Sequence, residues 1–173
     1  MKGWVIHAMS VLPEPIIDAA QAAFMQGGVS ITAASCGSQP FPSVSRLLAC
    51  SVADDRRRLS VMVARSCAQE LLEDIRHSGR IAIVFSQPST NRTMQIKGDN
   101  AVPGVPDALL LEIVHRHGDA FVNEVAPLGF APPLVRSLLD FPDDDIVSIT
   151  FTPNAAYDQS PGPRAGAPLH TGA

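Results

Sequence analysis

Residues 81–98 read Ile-Ala-Ile-Val-Phe-Ser-Gln-Pro-Ser-Thr-Asn-Arg-Thr-Met-Gln-Ile-Lys-Gly, and this stretch is the most informative part of the sequence. Ile81–Phe85 is a continuous apolar run, which is typical of a buried strand. After a polar loop, Arg92–Lys97 alternates polar and apolar residues like a half-exposed strand. An arginine among hydroxyl and amide side chains suits an anionic ligand with hydrogen-bonding edges. An ordinary polar loop with a solvated strand face would have the same composition.

The sequence on either side of this stretch predicts further strands and short helices. Apolar-polar alternation and β-branched residues predict four more strands, at Val29–Ser35, Ser43–Ala53, Arg58–Ala64 and Ile146–Phe151. Helical spacing and end signals predict four helices, at Ile16–Met25, Ser66–Ser78, Pro103–Val122 and Pro133–Leu139. Five or six strands joined mostly by tight turns indicate a small antiparallel barrel with flanking helices.

Length and composition favour one globular domain over residues 1–173, with a core at about 15–152 and a Pro/Gly-rich tail at 153–173. The formal net charge of −4 argues against nucleic-acid binding, and no apolar run reaches the roughly 18 residues that span a bilayer. The apolar stretch 4–12 lacks a cleavage site for a signal peptide. We therefore expect a cytoplasmic protein that binds no membrane.

The cysteines and histidines give no sign of a catalytic or metal site. Cys36, Cys50 and Cys67 are too widely spaced for a disulfide framework or a metal pair, and we expect them to be small core residues. His115 and His117 are two residues apart and would point away from each other on a helix, so we predict no metal site. No nucleophile elbow, P-loop or dinucleotide-binding glycine motif occurs, so no catalytic residue is assigned.

Two arginines outside residues 81–98 are candidate ligand contacts. Arg65 and Ser66 lie where a strand leads into a helix, and the free N–H groups of a helix start attract anions. Ser66 would serve equally well as a simple N-cap. Arg46 lies in an otherwise apolar strand and needs a partner, which is either a ligand or a carboxylate. The run Arg56–Arg58 follows two aspartates and is typical of a solvated turn.

The order of these elements, together with Pro88-Ser-Thr-Asn-Arg-Thr-Met-Gln-Ile-Lys-Gly98, resembles the pyridoxamine 5′-phosphate oxidase-like flavoproteins. Asp158–Gly166 also resembles a tail found in an uncharacterised branch of that family, and the resemblance covers residues 15–166. It implies a mainly β fold with flanking helices, a six-stranded antiparallel split β-barrel. It also implies that FMN binds at the subunit interface of a homodimer, and that the protein is an oxidoreductase acting on a small-molecule substrate.

The resemblance places seven residues of this chain at positions that contact the cofactor in the family: Arg46, Leu47, Arg65, Ser66, Arg92, Thr93 and Gln95. Residues 46–47 correspond to a contact from the second barrel strand, in part through the backbone. Residues 65–66 correspond to the helix start that binds the FMN phosphate. The other three begin the fifth strand, where a polar residue after the arginine approaches the flavin.

The chain departs from the family pattern at three places. Cys67 follows the pair 65–66 where the oxidase has a second basic residue, and Asn91 replaces a histidine that is usual in this branch. The C-terminal substrate motif with Arg and His is replaced by the Pro/Gly-rich tail. The changed basic pair and the missing motif argue against oxidation of vitamin B6, and Asn91 weakens one cofactor contact.

The sequence leaves one alternative function open, a non-enzymatic split barrel that binds haem, another ligand or no cofactor. Haem-utilisation proteins also resemble this barrel. Haem would need an axial histidine, for which His115 and His117 are the candidates.

Overall fold

The structure, a computed structural model, describes residues 14–169. The apolar stretch 4–12, where we predict no signal peptide, lies outside these residues. The described residues form seven strands: β1 (Ser30–Ser35), β2 (Ser43–Leu47), β3 (Ala49–Val52), β4 (Leu59–Ala64), β5 (Ile81–Ser86), β6 (Thr93–Gly104) and β7 (Ile146–Asp158). They also form four α-helices: α1 (Ala19–Met25), α2 (Gln69–Ser78), α3 (Ala108–Val125) and α4 (Pro132–Ser137).

The seven strands make one antiparallel sheet in the order β2-β1-β5-β6-β7-β4-β3. Its two edge strands, β2 and β3, are separated in the chain only by Leu48, whose N–H donates to the Met62 carbonyl at 2.7 Å. The sheet must therefore curl until its edges meet at this residue. The prediction of a single strand at Ser43–Ala53 is wrong. The chain bends at Leu48, so that β2 before the bend pairs with β1 and β3 after the bend pairs with β4. The sheet therefore has seven strands instead of the expected six.

The main core lies inside the curled sheet and beneath two short helices. Phe85 and Phe151 are among the largest fully buried side chains, and Met25 of α1 and Leu71 of α2 join the same cluster. Helix α1 begins at Ala19, three residues after the predicted start, because Asp18 and Gln21 form a reciprocal capping box.

Helix α3 packs against the outer face of β3 and β4 through a second apolar cluster that contains Val114, Met62 and Leu48. The helix is predicted from Pro103 but begins at Ala108, because β6 continues to Gly104 and Asp107 caps the helix. The final strand likewise continues to Asp158 instead of ending at Phe151. Residues 153–158, which we expected to be irregular, pair with β6.

Two of the three cysteines differ from the expectation of core packing. Cys50 is buried, whereas Cys36 and Cys67 are exposed, because each follows the end of a strand where the chain leaves the sheet. Within residues 14–169, no helix is both long and apolar enough to cross a membrane.

His117 lies on the face of α3 that is turned toward the barrel, where it is 5% exposed. Its Nε2 lies 3.0 Å from the Val29 carbonyl oxygen, and its Nδ1 has no hydrogen-bond partner among the described residues. Burial lowers the pKa of His117 below its ordinary value, against the smaller opposing effect of the Val29 bond. The ring is therefore held neutral between α3 and the barrel.

Because the folded protein resists protonation of His117, its stability should depend on pH. The folded state binds fewer protons than the unfolded state once the pH falls below about 6.5, so the free energy of unfolding should decrease from there toward the folded pKa. We expect His117→Gln, which keeps a donor for Val29, to remove this dependence. Urea unfolding near neutral pH and at about pH 5.5 measures it. His77→Gln, at an exposed position, is the control, and the same dependence in both variants would contradict this account.

Candidate functional site

The outer face of the sheet carries a row of four side chains across four strands, three of which are polar. Arg46 of β2 pairs with Thr32 of β1, Thr32 with Val84 of β5, and Val84 with Gln95 of β6. Directly opposed residues of antiparallel strands point to the same face, so the four side chains lie side by side. At about 4.8 Å per strand, the row is roughly 14 Å long. Tyr157 of β7 pairs with Gln95 and extends the row by one strand.

A second polar row runs beside the first, two residues nearer the loop between β5 and β6. Ser30 pairs with Ser86, and Ser86 pairs with Thr93. The hydroxyls of Ser86 and Thr93 lie 2.9 Å apart, and the Thr93 N–H donates to the Ser160 hydroxyl at 3.0 Å. The two rows therefore bring Arg46, Thr93 and Gln95 onto one half-open surface, which we call the outer sheet face.

Arg92 directly precedes β6, and its side chain contacts helix α1. Its guanidinium stacks on the Phe24 ring of α1 at 4.2 Å from the ring centroid. It lines a cavity of about 310 Å³ together with Asp158 and Arg164 of the C-terminal segment. The Ser160 backbone N–H, and then its hydroxyl, hold the pKa of Asp158 below the usual range. Thr93 also lines this cavity, whereas Gln95 does not, so the structure separates Arg92 from Gln95 but not from Thr93.

Arg65 and Ser66 lie in a short 3₁₀ helix, Arg65–Cys67, between β4 and α2. Ser66 is not the N-cap of α2, because that helix begins only at Gln69. Instead the Ser66 N–H donates to Asp145 Oδ1 at 3.1 Å, and the Ser66 hydroxyl donates to Asp145 Oδ2 at 2.6 Å. The two donors of Ser66 are therefore occupied by the Asp145 side chain, while Arg65 is exposed and has no ion pair within residues 14–169.

The turn that contains Ser66 lies beside the strand that carries Arg46. The Ser45 hydroxyl of β2 donates to the Cys67 carbonyl at 3.2 Å, and this contact joins β2 to the turn after β4. Leu47 points into the barrel and is 1% exposed, so only its backbone can contact a ligand. Arg46 points outward, and its Nη1 lies 3.5 Å from the Ser30 hydroxyl.

The two candidates for an axial histidine in the haem-binding alternative lie in different surroundings, one buried and one exposed. His117 is buried against Val29, and the exposed His115 lies 3.4 Å from Asp143. In the part of the chain that the structure describes, no three His, Cys, Asp or Glu side chains are grouped so that they could hold a metal ion.

Three residues of this region are absent from the sequence-based set. Thr32 and Tyr157 enter the outer sheet face through strand register, which a single sequence does not reveal. Asp145 reaches Ser66 across 79 residues of sequence. The sequence signal for the Ser66–Asp145 contact is the run Asp143–Asp145, because three adjacent carboxylates before a strand require nearby donors or solvent.

No protein-family model matches the sequence, and no curated protein matches it. Solved structures do match the fold. HupZ from Group A Streptococcus superposes with a TM-score of 0.53 at 12% identity, covering 87% of this chain and 99% of that one. A candidate pyridoxamine 5′-phosphate oxidase from Lactobacillus delbrueckii gives 0.51 at 11% identity, over 82% of this chain and 93% of that one. An F420 reductase gives 0.50 at 16% identity, over 78% and 93%.

These similarities, together with the curled antiparallel sheet, define the class of the protein as a split barrel. The chain has the fold of the pyridoxamine 5′-phosphate oxidase-like proteins, as the sequence resemblance implies. At these identities the match concerns the fold alone, and a shared fold does not fix the reaction or the ligand.

Proposed function

We propose that this split barrel is an FMN-binding flavoprotein that acts as an oxidoreductase on a small molecule. The observation that carries the proposal is the register of the outer sheet face, which aligns Arg46, Thr32 and Gln95 in one row. The strand that carries Arg46 also contacts, through the Ser45 hydroxyl on its other face, the turn where Ser66 binds a carboxylate. A polar sheet face next to an anion position matches the two parts of FMN, a hydrogen-bonding ring system and a phosphate.

The donor set of this face fits such a molecule. Once the Asp145 carboxylate is displaced, the Ser66 N–H and hydroxyl, with Arg65, would hold the phosphate, and Arg46 would neutralise further negative charge. The amide of Gln95 and the hydroxyl of Thr32 each donate and accept, as the edge of the flavin ring requires. The sequence has few aromatic residues to stack on the ring, one Tyr and one Trp beside seven Phe, so polar contacts would dominate. A bound flavin would supply the electron transfer, and the protein would supply binding and orientation.

We also propose that two copies of the chain associate through this face and enclose the cofactor. Apolar surface adjoins the polar rows, since Val44 on β2 is 62% exposed and Phe41 just before it is 80% exposed. Large exposed side chains of this kind beside a half-open sheet favour contact with another protein surface.

The proposal is tested by blocking the outer sheet face. Thr32→Phe places a ring in the middle of the polar row at a strand position that tolerates aromatic residues. We expect it to weaken FMN binding at least tenfold in a fluorescence titration. Thr152→Phe, at an exposed position of β7 five residues before Tyr157, is the matched control and should leave the dissociation constant unchanged. Equal affinity of both variants would contradict this location of the cofactor.

A further inference from the structure

A separate cavity of about 230 Å³ lies between the β1–β2 edge of the sheet and the helices α3 and α4. Its walls are apolar side chains, chiefly Phe121, Val125, Phe130, Val135, Leu138 and Leu139. Two polar side chains, Arg46 and Ser30, complete the lining on the sheet side. At the helix side Phe130 is 52% exposed and Leu138 is 55% exposed. The cavity is therefore an apolar chamber with one cationic group.

The Arg46 guanidinium has little that compensates its charge. Its hydrogen bond to the Ser30 hydroxyl is long, at 3.5 Å, and none of the ion pairs within residues 14–169 includes it. Arg46 is exposed to solvent, but a ligand that fills the cavity would partly shield it from water, so an anionic group on that ligand would compensate its charge. A carboxylate is the best match, because its two oxygens fit the parallel N–H groups of a guanidinium.

We propose that this cavity binds a small carboxylate with an apolar body, and that the carboxylate pairs with Arg46. At roughly 30 Å³ per non-hydrogen atom, as in liquid water, the volume holds about eight such atoms. A hydrophilic phosphate would leave the apolar walls in contact with polar groups. A neutral apolar molecule would leave Arg46 unpaired. The charge and the walls together therefore select an amphipathic acid.

The inference does not depend on the flavin, although Arg46 belongs to both surfaces. A carboxylate in this cavity would lie beside the proposed cofactor face, and if FMN binds there, the acid belongs to the class of substrate that the enzyme uses. Binding is therefore measured without flavin, so that the failure of either proposal can be distinguished from the failure of the other.

The test is calorimetric titration with hexanoate, which has eight non-hydrogen atoms, and with hexanamide, its neutral analogue, at neutral pH. We expect hexanoate to bind at least tenfold more tightly than hexanamide to the natural sequence. Arg46→Gln should abolish this difference, and Arg46→Lys should retain part of it. Arg76→Gln, which removes the same charge from the exposed face of α2, should change neither affinity.

A second variant tests the walls independently of Arg46. Leu138→Glu places a like charge at the exposed mouth of the cavity and should weaken hexanoate binding more than Leu138→Gln does. Absence of hexanoate binding to the natural sequence, equal affinity for both compounds, or full hexanoate affinity in Arg46→Gln would each overturn the proposal.

Discussion

Asp145→Asn should raise the affinity for FMN at least tenfold while leaving the affinity for riboflavin unchanged. The Asp145 carboxylate accepts both hydrogen bonds that Ser66 offers, so a phosphate must displace it before it can bind there. Hydrogen bonds to a charged group contribute about 1.5–3 kcal/mol, and 1.4 kcal/mol corresponds to a factor of ten. The amide of Asn keeps the shape but removes the competing charge. Riboflavin lacks the phosphate, so its binding should not respond.

The controls for this prediction lie in the same short segment. Asp144→Asn removes an equal charge from the short 3₁₀ helix Asp143–Asp145 that also carries Asp145; Asp144 is exposed there, and its substitution should leave both affinities unchanged. Ser66→Ala should weaken FMN binding but not riboflavin binding. If Asp145→Asn changes the two flavins equally, or lowers the FMN affinity, the phosphate does not bind at Ser66.

Gly28→Ala should destabilise the protein by about 2–4 kcal/mol, among the larger effects of a single substitution. A Cβ at Gly28 would lie 2.5 Å from the Ala120 carbonyl oxygen and 2.8 Å from its carbon. These are backbone atoms of α3 and cannot move without displacing the helix. Displacement would also break the contact of His117 with Val29, and that of Glu124 with the β5–β6 loop through the Ser89 N–H.

The matched control is Gly118→Ala on α3 itself. A Cβ at Gly118 would have no heavy atom within 4 Å, so alanine adds helix propensity without a clash. We expect it to leave the stability unchanged or to raise it by about 0.5–1 kcal/mol. Urea unfolding of the two variants measures the difference. Equal stabilities would mean that α3 does not pack closely on Gly28.

The type of fold could be predicted because its signals are local. Alternation and apolar runs lie within single strands, so the positions of β1, β4 and β5 follow from a few neighbouring residues. The bend at Leu48 could not be predicted in this way, because it depends on which strand each half of the segment 43–53 pairs with. The end of β7 was set too early because Pro153 reads as a break, although its strand continues to Asp158.

The same distinction between local signals and tertiary contacts applies to the candidate site. Thr93 and Gln95 share a face because residues two apart on a strand must. The row that adds Arg46 to them depends on the register of three strand pairs. Arg92 lies just before β6, and its contact with Phe24 of α1 is tertiary. The contact between Ser66 and Asp145 is also tertiary. A single sequence offers the residues of such a site but not their neighbours.

FMN binding by this split barrel is tested most simply by titrating the purified protein with FMN. We expect saturable binding of one flavin per chain, retention of yellow colour through gel filtration, and release of free FMN on denaturation. A colourless protein that retains no flavin after incubation with excess FMN would contradict this expectation.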